Sequence, residues 1–190
     1  MNGLNRTKIG CVLLAAGLSV PVFAQETDSI EEVVVTATKR EQTLLEVPLA
    51  VSVVDSQTME QAQINDIVDL QGMVPSLRVT QLQTTGNTNF VIRGFGNGAN
   101  NPGIEPSVGV FIDGVYRSRS ASALADLPNL ERIEVLRGPQ STLFGKSASA
   151  GVINVVTAAP DMDAFGGSAS FTYGNYNQVI LKGDISGPIS

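Results

Sequence analysis

The 190-residue chain contains no histidine and no tryptophan, a single cysteine (Cys11), and few aromatic side chains (5 %). Without histidine there can be no Ser-His-Asp or Cys-His catalysis, no imidazole acid–base chemistry and no zinc site built on imidazole. One cysteine excludes an internal disulfide and a thiolate metal cluster. Positive charge is also scarce. Twelve Lys and Arg against 18 Asp and Glu leave a net charge of −6, which argues against a nucleic-acid partner, because phosphate binding needs a basic stripe. No apolar run is long enough to cross a bilayer as a helix of a mature chain. Glycine, by contrast, is abundant, with 19 residues. The length allows one domain or little more.

The first segment has the pattern of an export signal. Arg6 and Lys8 form a positive start, residues 9–20 are apolar or small, Pro21 breaks the run, and Val22 and Ala24 stand at −3 and −1 of a cleavage point before Gln25. Cys11 lies ahead of most of the apolar run, which does not suit lipoprotein processing. Cleavage would remove Arg6, Lys8 and Cys11, leaving neither Cys nor His and moving the net charge to −8.

Residues 25–32 are polar and acidic and predict an unfolded lead. Val33-Val34-Val35-Thr36-Ala37 follows, flanked by Glu31-Glu32 and Lys39-Arg40-Glu41. This short β-branched run cannot bury both faces alone, and its backbone edges are ready to pair with another strand. Beyond it, residues 49–54 read as a strand. A short helix is expected over 57–63, capped by Asp55 or Ser56. A second helix capped by Asn65 or Asp66 would carry Ile67, Val68 and Leu70 and stop at Gly72 and Pro75. Strands are expected over 77–82 and 89–93 with a turn between them, then over 108–112, 132–136 and 152–157. Residues 94–106 read as a long polar loop, Asp113-Gly114 as a turn, and 122–127 and 142–144 as short helical or tight turns. The pattern is α+β. After Pro160 it changes: Ala169, Phe171 and Tyr173 alternate with small polar residues, and Val179, Leu181 and Ile185 oppose Lys182, Asp184 and Ser186. Such a hairpin suits a membrane strand pair or a half-buried soluble one; the local pattern does not decide.

Enzymatic motifs are weak. Gly145-Lys146-Ser147 fails as a phosphate loop: Gln140 stands where its first glycine is required, and a strand follows it in place of a helix. The glycines at 94, 96 and 98 have the wrong spacing for a dinucleotide fingerprint. Gly145-Lys146-Ser147-Ala148-Ser149 lacks the last glycine of a nucleophile elbow. Asp113, Asp126, Glu131 and Glu134 are available carboxylates, but no spacing singles out a catalytic pair. No enzyme, metal site or cofactor is expected.

Four features in order carry a resemblance. They are Glu31-Glu32-Val33-Val34-Val35-Thr36-Ala37; Asn89-Phe90-Val91-Ile92-Arg93-Gly94-Phe95; Val110-Phe111-Ile112-Asp113-Gly114-Val115-Tyr116; and Leu130-Glu131-Arg132-Ile133-Glu134-Val135-Leu136-Arg137-Gly138-Pro139, continuing through Leu143-Phe144-Gly145 to Thr157. Over about residues 25–160 the chain resembles the N-terminal part of TonB-dependent outer-membrane receptors. The resemblance implies a signal peptide (1–24) and a flexible segment with a TonB box (25–43). It further implies an α+β plug domain, a small mixed sheet with short helices (44–160), and the first hairpin (161–190) of an antiparallel transmembrane β-barrel truncated here. At about ten residues per strand, two strands cannot close a barrel, and open edges are not tolerated in lipid. The chain is therefore either a fragment of a longer receptor or a truncated product, a soluble plug-only periplasmic binding module without transport.

The resemblance also implies roles. Residues 31–38, with Val33, Val34, Val35, Thr36 and Ala37 as the box, would bind TonB, the inner-membrane energy-transducing protein. An extracellular ligand such as a ferric siderophore would meet the loops after Arg93 and Asp113, with Arg93, Tyr116, Arg117 and Arg119 as contacts. Arg132, Glu134 and Arg137 would form ion pairs between plug and barrel wall. The short lead before the box predicts no signalling domain.

Overall fold

The computed structural model describes residues 33–36, 39–40, 42–96, 103–123 and 129–188. The expected leader, the acidic segment 25–32, Ala37, Thr38, Glu41, the loop centre 97–102 and Asp126 lie outside these residues.

In chain order the strands are β1 (Val34–Val35), β2 (Gln42–Thr43), β3 (Ala50–Asp55), β4 (Leu77–Leu82), β5 (Thr84–Ile92), β6 (Val108–Ile112), β7 (Val115–Arg117), β8 (Leu130–Arg137), β9 (Gly151–Thr157), β10 (Gly166–Tyr173) and β11 (Val179–Ser186). Among the described residues two short α-helices, α1 (Ser56–Gln61) and α2 (Ser141–Phe144), interrupt them. Asp55 caps α1 as its spacing predicts: its carboxylate accepts from the Thr58 N–H at 2.7 Å, satisfying one of the orphan donors of the first turn.

The second expected helix is instead a 3-10 turn, Asp69–Gly72. Asp66 accepts from the Asp69 N–H at 3.0 Å, while the Asp69 carboxylate accepts from the N–H of Asn65 at 2.9 Å. These side-chain bonds hold the backbone in a turn that competes with a helix, and Ile67, Leu70 and Val74 are buried beneath it. The turn expected between the next two strands is also shorter than predicted. It contracts to Gln83, at φ +55°, and the polar residues 84–88 belong to β5, with Thr88 opposite Gln81 and a register shift next to it.

A five-stranded mixed sheet, in the order β3-β8-β9-β6-β7, forms the centre. Only the β6–β9 pair is parallel. Side chains alternate across it, and both faces are covered. On one face Ile133, Val135, Ile153, Val155, Val108 and Val110 pack under α1, the 3-10 turn and the β4–β5 hairpin, through Met59, Leu70, Leu77, Phe90 and Ile92. On the other, Leu136, Val152 and Phe111 pack with Val35, Val47, Ala148 and Phe144. Two covered faces explain why these strands read as nearly unbroken apolar runs. Gly151 is required by close approach: a Cβ there would lie 2.5 Å from the Leu136 carbonyl oxygen and 2.7 Å from Ile92 Cδ1.

The N-terminal run departs from the flexible segment expected over 25–43. Residues 33–36 and 42–43 are folded onto the second face: β1 pairs antiparallel with β2, Val34 opposite Thr43 and Val35 opposite Gln42, and Leu44 N–H donates to the Val33 carbonyl at 2.9 Å. Val35 is fully buried. The cause is the apolar second face, which would otherwise be open to water at Leu136 and Val152.

Candidate functional site

The docked run meets the sheet at a polar cluster. Thr36 follows the buried Val35, and its N–H donates to Glu134 Oε1 at 2.8 Å. The Thr36 hydroxyl lies 3.2 and 3.4 Å from the two carboxylate oxygens and accepts from Asn154 Nδ2 at 3.1 Å. Asn154 also donates to Glu134 Oε2 at 3.1 Å, and Arg132 Nε donates to Oε1 at 2.8 Å. Glu134 is fully buried, while Arg132 reaches further out to Glu131. A carboxylate removed from water needs such donors, since burying a charge without partners is costly. The register supplies them: Glu134 stands directly opposite Asn154 across the β8–β9 pair, and Arg132 is two residues away on the same face.

This corrects the role expected of Glu134. A carboxylate pairing with a barrel wall must lie at the domain surface, and this one is spent inside the domain on Thr36, Asn154 and Arg132. The signal was present in the sequence as a polar residue within each of two buried apolar runs, Ile133-Glu134-Val135 and Ile153-Asn154-Val155. Arg137 lies at the end of β8, and its guanidinium donates to the carbonyls of Ala50 (3.4 Å) and Val51 (3.5 Å).

A second hold on the docked run was not anticipated. Lys39 Nζ sits 5.3 Å from the centroid of the Phe144 ring, within cation–π range. Phe144 meets Phe111 edge-on at 5.0 Å, and Phe111 meets Tyr116 at 5.4 Å. Tyr116, expected among the ligand contacts, therefore stands on the sheet face that carries the docked run, partly open to solvent.

The remaining ligand candidates gather toward one end of the sheet. Arg93 is exposed in a tight turn at φ +52°, closed by Phe95 N–H to the Ile92 carbonyl, and Ile92 lies against Gly151 at the start of β9. Arg117 pairs with Val110, so β7 brings the chain back toward that same end, and Arg119 follows it, exposed. Arg117 Nε is buried with no hydrogen-bond partner among the described residues. The Asp113-Gly114 turn lies at the opposite end, beside Thr157. Sequence reasoning missed Phe95 and Ile104, both exposed near the arginine end. It also missed the pair of Lys146 and Glu105 at 2.5 Å, which holds the Lys146 ammonium above the usual lysine pKa. Among the described residues no group of three or more potential metal ligands assembles.

The final hairpin is paired residue for residue from Gly166 opposite Ser186 to Tyr173 opposite Val179. Phe171, Tyr173, Val179, Leu181 and Ile185 share one exposed face. The other face carries Ser168, Ser170, Thr172, Lys182 and Asp184, and Lys182 Nζ donates to Asn65 Oδ1 at 2.9 Å. The polar face thus looks toward the mixed-sheet domain.

The family model of the TonB-dependent receptor plug domain matches residues 43–152. The chain belongs to the TonB-dependent receptors. It is 30 % identical over 184 residues to the ferrioxamine B receptor of Salmonella typhimurium, covering 91 % of this chain and 25 % of that one. To the vitamin B12 transporter BtuB of Vibrio vulnificus it is 34 % identical over 154 residues, covering 77 % of this chain and 24 % of the relative. Among solved structures, the ferric yersiniabactin uptake receptor FyuA of Yersinia pestis superposes with a TM-score of 0.68 at 28 % identity, over 74 % of this chain and 22 % of that one. The chain thus spans about a quarter of the length of the relatives it matches. Its mixed sheet with short helices is the plug fold, and its place is the outer membrane of a Gram-negative cell.

Proposed function

We propose that this chain is the N-terminal portion of an energised outer-membrane transporter, in which the plug (44–160) gates a barrel begun by the hairpin (161–190) behind an export signal (1–24). The observation that carries the reading is the pairing of Val34–Val35 with only a two-residue partner strand at the entrance to the plug. A strand held by so little pairing can be exchanged for one from a partner, whose backbone hydrogen bonds resist a pull along the chain. The outer membrane holds no nucleotide pool, so work has to arrive through such a contact. Val33, Val34, Val35, Thr36 and Ala37 form the TonB box in this reading, and TonB is the partner.

The cargo is an anionic iron chelate of the ferric siderophore class. The three cations that Arg93, Arg117 and Arg119 bring toward one end of the sheet favour a negative charge, and the ferrioxamine B and ferric yersiniabactin receptors among the similar proteins favour a siderophore. Arg132 and Arg137 stay candidates for contacts with the barrel wall. A free periplasmic plug module is disfavoured by the bare apolar face of the hairpin, which suits lipid on the outside and a wet lumen within.

Deleting residues 33–37 from the receptor should abolish uptake of the chelate by whole cells while leaving its binding to the cell surface intact. Uptake at the parental rate after the deletion would refute the reading.

A further inference from the structure

We infer that Glu134 is an internal competitor for the box strand, so that this plug residue sets how tightly the energising partner binds. The inference rests on the reading of Val33 to Ala37 as the partner-binding strand. It goes beyond that reading in assigning a plug residue the control of partner affinity.

A partner strand binds by taking backbone donors and acceptors of the box. At Thr36 both are already committed: the N–H to Glu134 Oε1, and the carbonyl to the Lys39 N–H at 2.8 Å. The carboxylate stands where an incoming carbonyl oxygen would have to be. It is the stronger acceptor of the two, because a charged acceptor strengthens a hydrogen bond. The cluster fixes it there, with Arg132 and Asn154 holding its two oxygens and Thr36 giving both backbone and hydroxyl contacts. Val35, one residue earlier, is fully buried, so freeing Thr36 and withdrawing Val35 from the core are neighbouring steps of one opening. If the box is open for only a small fraction of the time, the apparent dissociation constant for the partner is the intrinsic one divided by that fraction. Weakening the Thr36–Glu134 contact raises the fraction and tightens partner binding without adding any contact to the partner.

The test uses the receptor that carries this chain, in isolated outer membranes without ligand. Opening is read as the rate of maleimide labelling of the thiol introduced by Val35→Cys, with the receptor lacking that substitution as the blank. Partner affinity is measured separately, without the reporter, using the periplasmic domain of TonB. Two variants are compared, both leaving the box residues untouched: Glu134→Gln, which weakens the acceptor, and Glu134→Leu, which removes it and fills the same space with an apolar side chain. The expected result is a rise of about tenfold in labelling rate, matched by a similar tightening of partner binding, in each variant that assembles. Unchanged labelling in the Glu134 variants that assemble, with the parent still binding TonB, overturns the competitor role and leaves the box assignment standing. Faster labelling with unchanged affinity overturns the competition. Absence of TonB binding to the parent receptor removes the box assignment itself and the inference with it.

Discussion

The carboxylate of Asp113 accepts from both the N–H and the hydroxyl of Thr157, each at 2.9 Å, across 44 residues of chain. It fastens the β6–β7 turn to the end of β9, where the chain leaves the plug for the hairpin. Asp113 also sits at φ +49°, a conformation that Asp and Asn tolerate and alanine does not favour. Both residues lie near the surface, so the loss in Asp113→Ala should be about 1 kcal/mol. Asp113→Asn, which keeps one acceptor and the backbone tolerance, should lose less. Urea denaturation of the variants checks the order.

Gly151→Ala should be more damaging. The added methyl meets the Leu136 carbonyl, which belongs to the sheet and cannot move aside, as well as Ile92 Cδ1. Overpacking of a filled core costs about 1–3 kcal/mol. A fall in the denaturation midpoint of the size seen for surface variants would show that the sheet yields more readily than its packing implies.

At α1 the N–H and hydroxyl of Thr58 hold the Asp55 carboxyl below the usual aspartate range. A carboxyl that is more acidic when folded stabilises the fold fully above the unfolded pKa, and that contribution is lost as pH falls through the depressed folded value. Replacing Asp55 with Ala should cost about 1 kcal/mol at neutral pH, and the gap to the parent should close in acid. Asp55→Asn should retain the cap and lose its pH dependence. Thermal melts between neutral pH and pH 3 distinguish the three proteins.

On the hairpin, Leu181→Arg places a charge on the apolar face and Thr172→Lys places one on the polar face. A lipid-facing arginine costs about 2–4 kcal/mol at the bilayer midplane and little near its edges. The yield of assembled receptor in the outer membrane should therefore drop for Leu181→Arg and hold for Thr172→Lys. Equal yields would place both faces in water.

Among the arginines, Arg119→Glu reverses an exposed charge next to a turn in which Ser122 bonds the Arg119 backbone carbonyl, not its side chain. The turn should therefore survive. Affinity for an anionic ferric chelate, such as a ferric tris-catecholate, should fall several-fold, and the fall should shrink at high salt as the charges are screened. Equilibrium binding to whole cells at two ionic strengths measures it.

Much of this architecture can be read directly from the chain. The apolar runs that become β3, β6, β8 and β9 are β-branched and bounded by Gly, Asp and Pro, and Asp55 stands where a cap is needed. The alternation of residues 168–173 fixes which hairpin face is apolar. The docking of Val35 was not legible. An isolated run of three valines has the same local pattern whether it is free or packed, and only the open second face of a sheet built from residues far along the chain decides between them. Glu134 shows in the sequence only as a polar residue inside an apolar run, which marks the position without saying what meets its charge. Its burial follows from its place opposite Asn154, a fact of register between strands about 20 residues apart. The arginine end of the sheet was only half visible: the motifs mark Arg93 and the Asp-Gly turn, but the topology sends that turn to the other end and returns Arg117.

The position of β3 has a mechanical consequence. It is the first strand of the central sheet to be reached from the N-terminus, and it lies at the sheet's edge, bonded to β8 alone. Once the β1–β2 pair and Val35 are drawn off the second face, tension on the N-terminal run would load this outermost seam of the sheet before the inner ones. β3 can be stripped from β8 while β8, β9, β6 and β7 keep their mutual hydrogen bonds. A plug wired in this order yields progressively from one side, and its four remaining strands stay behind as a template on which the removed one can rezip.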